Sequence, residues 1–136
     1  MQGFQFIFPY QVRVSDINYL GHVANSAVLN IFQDARIAYL AKLGPFSELD
    51  LGGYGLILPE AHAFFHGEMF LGDQLQVGIR GGGLRRSSFL LLYRIERDGQ
   101  LMAEGETPVV CFDYEARKAR RIPEQFRQAL SRFEGL

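Results

Sequence analysis

Asn25-Ser26-Ala27-Val28-Leu29-Asn30-Ile31-Phe32-Gln33-Asp34-Ala35-Arg36-Ile37-Ala38-Tyr39-Leu40-Ala41-Lys42-Leu43 is the one long helical stretch of the chain, and its apolar pattern decides the fold. Ala27, Val28, Ile31, Phe32, Ala35, Ala38 and Tyr39 keep the i, i+3/i+4 spacing of a helix face. Leu29, Ile37 and Leu40 cover much of the opposite side, leaving a narrow polar stripe of Ser26, Asn30, Gln33 and Asp34. A helix so apolar around its circumference has to be covered on most sides. In a chain of 136 residues the available cover is a sheet curling around it. Asn25 or Ser26 is the expected N-cap, and Gly44-Pro45 closes the far end.

Outward from the helix the pattern changes to period 2. On its N-terminal side, Phe4 to Val14 alternates apolar and polar residues as a half-buried strand does, with Pro9 marking an edge or a bulge. On its C-terminal side, beyond Gly52-Gly53-Tyr54-Gly55, strands are predicted over 56–65, 74–81, 87–97 and 101–114. Asp98-Gly99 between the last two is a two-residue hairpin signal, because both central positions of a type I′ turn need positive φ. Residues 123–133 read as a short terminal helix with Pro123 in its first turn. The fold class is therefore α+β: one domain over residues 1–136, with an antiparallel sheet wrapped around one long central helix. The edge strands of such a sheet need protection, so a homodimer or homotetramer is expected.

Composition excludes several functions. Fourteen Lys and Arg against fifteen Asp and Glu give no positive field for nucleic acid, and the aromatics lack the basic interleaving of an RNA-binding sheet. No apolar run approaches the ~18 residues that cross a bilayer, and the start lacks a leader pattern, so the expected location is the cytoplasm, with no membrane partner. Cys111, the single cysteine, sits in an apolar strand and reads as core. No metal and no cofactor are expected. His62 and His66 are four apart, but on a strand that separation is about 13 Å, too far to share one ion. There is no Gly-x-Ser-x-Gly elbow, and Gly81-Gly82-Gly83 lacks the residues of a phosphate loop. Arg85, Arg86, Arg117, Lys118, Arg120 and Arg121 are either a solvated face or a phosphate-binding surface.

The polar groups concentrate in the loop Ser15-Asp16-Ile17-Asn18-Tyr19-Leu20-Gly21-His22, which leads straight into the buried helix. Unpaired N–H groups of a first helical turn, here Val23 to Ser26, carry the positive end of the macrodipole and favour negative charge. Gly21 allows a ligand close to the backbone, while His22 and Asn25 add side-chain donors. Taken singly, each has a plainer role: Asx-turns for Asp16 and Asn18, a chain reversal for Gly21, a cap for Asn25. Together at the mouth of a buried helix they form a site suited to an acyl carbonyl, whose oxygen becomes an oxyanion during attack.

Residues 12–25, Val-Arg-Val-Ser-Asp-Ile-Asn-Tyr-Leu-Gly-His-Val-Ala-Asn, continuing through Phe32-Gln33-Asp34-Ala35-Arg36, resemble the signature of hotdog-fold thioesterases of the 4-hydroxybenzoyl-CoA thioesterase type. In that signature an acidic loop runs into Gly-His-Val-Asn-Asn and then a helix ending in Glu-Glu-Ala-Arg. Gly72-Asp73-Gln74-Leu75 resembles the family's Gly-Asp-x-Leu strand start, and Ala103 to Glu106 and Ile122 to Phe126 its closing strand and terminal helix. The resemblance implies a hotdog fold, sites at a subunit interface, acyl-CoA or acyl-carrier thioesters as substrates, and hydrolysis without a cofactor. Two positions depart from it: Asn18 stands where many members carry a catalytic Asp, and Ala24 replaces the first Asn of the pair.

The expected catalytic set is Asp16, Asn18, His22 and Glu68, with Gly21, Val23, Asn25 and Glu60 binding substrate. Asp16 is the first choice for the base or nucleophile, Glu68 the second, with Asn18 holding the water or thioester oxygen, and Glu60 the third, on a strand expected to line the cavity. Two rival readings keep the fold: an acyl-thioester-binding protein without turnover, motivated by Asn18, and a dehydratase acting on 3-hydroxyacyl thioesters.

Overall fold

The computed structural model describes all 136 residues. Its elements are β1 (Phe6–Gln11), α1 (Asn25–Leu43), β2 (Gly55–Ile57), β3 (His62–Phe65), β4 (Gln74–Gly82), β5 (Ser88–Arg97), β6 (Gln100–Asp113), β7 (Lys118–Ala119) and α2 (Glu124–Glu134). A short 3-10 turn, Val14–Asp16, lies between β1 and α1. All strand pairings are antiparallel. The sheet runs β1-β4-β5-β6, and the long β6 carries β3 and β2 one after the other on its far edge, with β7 at its C-terminal end.

The inner face is built by alternate residues. Leu75, Val77 and Ile79 of β4, Leu91, Tyr93 and Ile95 of β5, and Ala103, Val109 and Cys111 of β6 are all buried, in one core with Val28, Ile31, Phe32, Ala35, Tyr39 and Leu40 of α1. The same alternation turns Arg80, Leu92, Arg94, Glu104 and Glu106 to the other face. α2 closes the C-terminal end of α1, where the Tyr39 hydroxyl donates to Glu134 and the Gly81 N–H points at both oxygens. A buried polar chain crosses the core: Arg36 Nη1 donates to Tyr93 Oη at 2.9 Å, Tyr93 Oη pairs with Thr107 Oγ1 at 2.8 Å, and Arg36 Nε lies 3.5 Å from Glu48.

Four expectations are corrected. The first strand is shorter than 4–14, because after Val12 the chain turns through Val14–Asp16. Residues 56–65 are two strands rather than one: Pro59 has no N–H for a ladder, and β2 and β3 pair with separate stretches of β6. The N-cap of α1 is Ala24, and neither Asn25 nor Ser26 caps it with a side chain. Finally, α1 is covered on one side only. Leu29 is 42% and Ile37 51% exposed, because the sheet and α2 close over a single face. The Asp98-Gly99 hairpin forms as its dipeptide requires, with φ of 52° and 78°.

Candidate active site

A cleft of about 240 Å³ opens at the N-terminus of α1, lined by His22, Val23, Asn25, Val28, Phe65, Gly67, Glu68 and Met69. Three elements make it. The polar loop returns to α1 through paired bridges, Ile17 with Val23 and His22 with Phe70. The turn after β3 crosses beside it, tied by the Val23 N–H to the Met69 carbonyl at 2.8 Å. The first turns of α1 supply the floor.

Of the four amides expected to be free at this terminus, two are spent. Val23 donates to Met69, and Ala24 donates to the Asp16 carbonyl at 2.9 Å. This corrects the reading of Val23 as a backbone donor; it lines the cleft instead. The N–H groups of Asn25 and Ser26 have no partner in the protein, no side chain caps them, and no acidic residue stands in the first turn to neutralise the dipole. Two donors with a positive field behind them therefore stay available to a developing oxyanion.

The loop residues occupy different places. Asp16 is buried, its Oδ2 accepting from the Tyr10 hydroxyl at 2.7 Å and the Arg13 N–H at 2.8 Å, and it is not among the cleft residues. Burial and the adjacent carboxylate push the Tyr10 phenol well above its ordinary value. Asn18 Oδ1 accepts the Leu20 N–H at 2.9 Å, an Asx-turn, and Gly21 N–H donates to the Asn18 carbonyl with Gly21 at φ 87°. That left-handed φ is the reason for glycine at this position, since a Cβ there would meet nothing within 4 Å. His22 lies in the cleft wall, its Nδ1 3.5 Å from the Val23 carbonyl, too long to fix the ring.

Glu68 is exposed at the cleft and no side-chain bond engages its carboxylate. Its backbone is held firmly. Arg97 Nη1 donates to the Glu68 carbonyl at 2.9 Å and to Asp73 Oδ2 at 2.7 Å, and Asp73 Oδ2 also accepts the Phe70 N–H. Glu60 is elsewhere: it lies in the loop before β3, exposed, with Oε1 2.7 Å from His62 Nε2. The strand expected to bring it to the cavity is interrupted at Pro59, so it does not line the cleft. No three His, Cys, Asp or Glu side chains converge on a point that would hold a metal ion.

Sequence reasoning missed the apolar lining from Val28, Phe65 and Met69, and the Arg97–Asp73 clamp beneath Glu68. Residues 66–73 fall between two predicted strands, and the Gly72-Asp73 pair was the available signal. The basic residues divide into two groups. Arg117 lies over the Phe112 ring and Arg120 over Tyr54, near the end of β6, whereas Arg85 and Arg86 give their carbonyls to Arg127.

The sequence pattern of the thioesterase-like superfamily matches residues 12–130. The chain belongs to that superfamily. Its hotdog fold, a curled antiparallel sheet with one long helix packed against it, is the fold of its solved relatives. A thioesterase from Thermus thermophilus, solved with coenzyme A and Zn, superposes with a TM-score of 0.88 at 29% identity, covering 100% of this chain and 98% of that one. A 1,4-dihydroxy-2-naphthoyl-CoA thioesterase from Synechocystis gives a TM-score of 0.83 at 25% identity, covering 92% and 94%. A 1,4-dihydroxy-2-naphthoyl-CoA hydrolase from Synechococcus elongatus is 27% identical over 126 residues, 90% of this chain and 93% of that one. No helix of this superfamily member is long and apolar enough to cross a membrane.

Proposed function

We propose that this protein hydrolyses acyl-CoA thioesters to a free acid and CoA thiol at the cleft beside the N-terminus of α1. One observation carries the reading: two unpartnered amides, Asn25 and Ser26, open the helix at a cleft that also holds His22 and a free carboxylate, Glu68. Membership of the thioesterase-like superfamily and similarity to CoA thioester hydrolases support it.

In the proposed reaction the thioester carbonyl oxygen accepts hydrogen bonds from the Asn25 and Ser26 amides, with His22 beside it. Glu68 takes a proton from a water as that water's oxygen bonds to the carbonyl carbon. The tetrahedral intermediate collapses, the C–S bond breaks, and the proton held by Glu68 passes to the departing sulfur. Asp16 stands behind the loop with its two donors, and we assign it the positioning of that loop and of Ala24. Asn18 keeps the loop turned through its bond to Leu20. The alternative base is Asp16 itself, acting through its second oxygen.

The free edge of β3 supports a homodimer. β3 pairs only with β6, leaving its other edge open, and Phe64 and Phe65 there are 52% and 45% exposed. Pairing of two such edges would bring a second copy beside the Phe65 wall of the cleft.

Thiol release from a panel of acyl-CoAs, with Glu68→Gln, Asp16→Asn and Asn18→Asp beside the natural protein, tests the reading. Turnover that Glu68→Gln abolishes supports it. The Asx-turn that occupies Asn18 favours a second reading, thioester binding without turnover; tight CoA-ester binding with no thiol release from any ester would establish it and end the hydrolase proposal.

A further inference from the structure

Val28 is the last residue of α1 to line the cleft. On the inner face of the sheet Phe65 pairs in register with Ala103, and the next inward pair along the same two strands is Ala63 with Gly105. Gly105, without a side chain, leaves room on that face two residues beyond Ala103, the partner of the cleft-lining Phe65. Phe32 fills it. Four residues beyond Val28, it lies on the same helix face. It is 1% exposed, and its ring stacks on Tyr93 with centroids 4.3 Å apart. A Cβ added to Gly105 would come within 2.5 Å of the ring edge and of the His62 carbonyl, so the ring and the β3 backbone together use all the room that glycine leaves. Beyond Phe32 the core becomes polar, with the Arg36–Tyr93–Thr107 chain.

We propose that Phe32 is the depth stop of the acyl pocket, selecting short or single-ring acyl groups and rejecting long chains. The inference rests on the thioesterase reading above and adds to it the residue that sets chain length. The physical reason is the loss of burial: methylenes that cannot pass the Phe32 ring stay in water or force the first turn of α1 away from the sheet, and either outcome weakens transition-state binding. Because the polar chain lies just behind, removing the ring lengthens the pocket by one ring's depth and does not open a tunnel through the molecule.

The test is kcat/KM for butanoyl-, benzoyl- and octanoyl-CoA with the natural protein, Phe32→Leu and Phe32→Ala, each variant checked for folding by its thermal transition. The natural protein is expected to prefer the butanoyl and benzoyl esters. Phe32→Ala is expected to raise the octanoyl-to-butanoyl ratio by about tenfold or more, the discrimination that a few methylenes provide, with Phe32→Leu between the two. If Phe32→Ala does not fold, the direction of the Phe32→Leu ratio decides. A ratio unchanged in a folded variant, or a natural protein that already takes octanoyl-CoA as well as butanoyl-CoA, overturns the depth stop and leaves the hydrolase reading intact. Absence of turnover on every ester removes the hydrolase reading, and the depth stop with it.

Discussion

The Tyr10 hydroxyl donates a 2.7 Å hydrogen bond to Asp16 Oδ2, joining the end of β1 to the loop that precedes α1. The same oxygen accepts the Arg13 N–H, and the Asp16 carbonyl accepts the Ala24 N–H immediately before the helix. Asp16 thus links three segments whose relative placement sets where the Asn25 and Ser26 amides point. Removing the hydroxyl with Tyr10→Phe leaves a buried carboxylate with one donor fewer. It is expected to cost about 1–2 kcal/mol of stability in urea unfolding, with a smaller loss of turnover than Glu68→Gln produces.

Glu68→Gln and Asp16→Asn are expected to separate chemistry from support. Glu68 is exposed and its side chain makes no bond, so its amide variant should keep stability within about 0.5 kcal/mol while kcat falls by about 10²–10⁴. Asp16→Asn should instead lower the melting temperature. Parallel kcat and melting measurements read both, and the reverse pattern would move the base to Asp16.

The Arg97–Asp73 ion pair gives the turn carrying Glu68 a pH dependence. Burial works against ionisation of Asp73, but the Phe70 N–H and the Arg97 guanidinium outweigh it and hold the carboxyl below its ordinary 3.8. A lowered folded value means that the stabilisation is complete above the unfolded value and is lost as pH falls through the folded one. Asp73→Asn should therefore be less stable than the natural protein at pH 6, by about 0.5–1 kcal/mol. The difference should vanish in strong acid, as denaturant titrations across that range would show.

His62 carries the opposite sign. Its hydrogen bond to Glu60 raises the imidazole above 6.5, slight desolvation working against it. The pairing favours the folded state fully below 6.5 and ceases to do so as pH rises through the higher folded value. An NMR titration should place His62 above 6.5 in the natural protein and lower in Glu60→Gln. Equal midpoints would show that the pair does not persist in solution.

How much of this was legible before folding depends on the range of each interaction. The Asp98-Gly99 turn was readable because its φ angles are a local demand, met at 52° and 78°. The extent of α1 was readable from its spacing, and the position of His22 and Asn25 at its mouth from the polar loop before it. Pro59 was visible, but not that it divides one apparent strand between two stretches of β6, because that division belongs to the partner strand. The sequence ranks Asp16 ahead of Glu68 as the base, and only the folded contacts reverse that order: the Tyr10 hydroxyl and the Arg13 N–H engage the buried Asp16, while Arg97 holds the backbone of Glu68 and leaves its carboxylate free at the cleft.

The sequence by itself determined the periodicities, the turn chemistry and the loop that meets the helix, since these depend on neighbours within a few residues. Tertiary structure decided which amides stay unpaired, which carboxylate faces the cleft and what stands behind it. Val23 is removed as a donor by Met69, forty-six residues away, and the space that Gly105 leaves is taken by the Phe32 ring and the His62 carbonyl, which the fold brings there. A group's hydrogen-bonding capacity and the volume around it are set by whatever the fold brings alongside, and no local pattern encodes that.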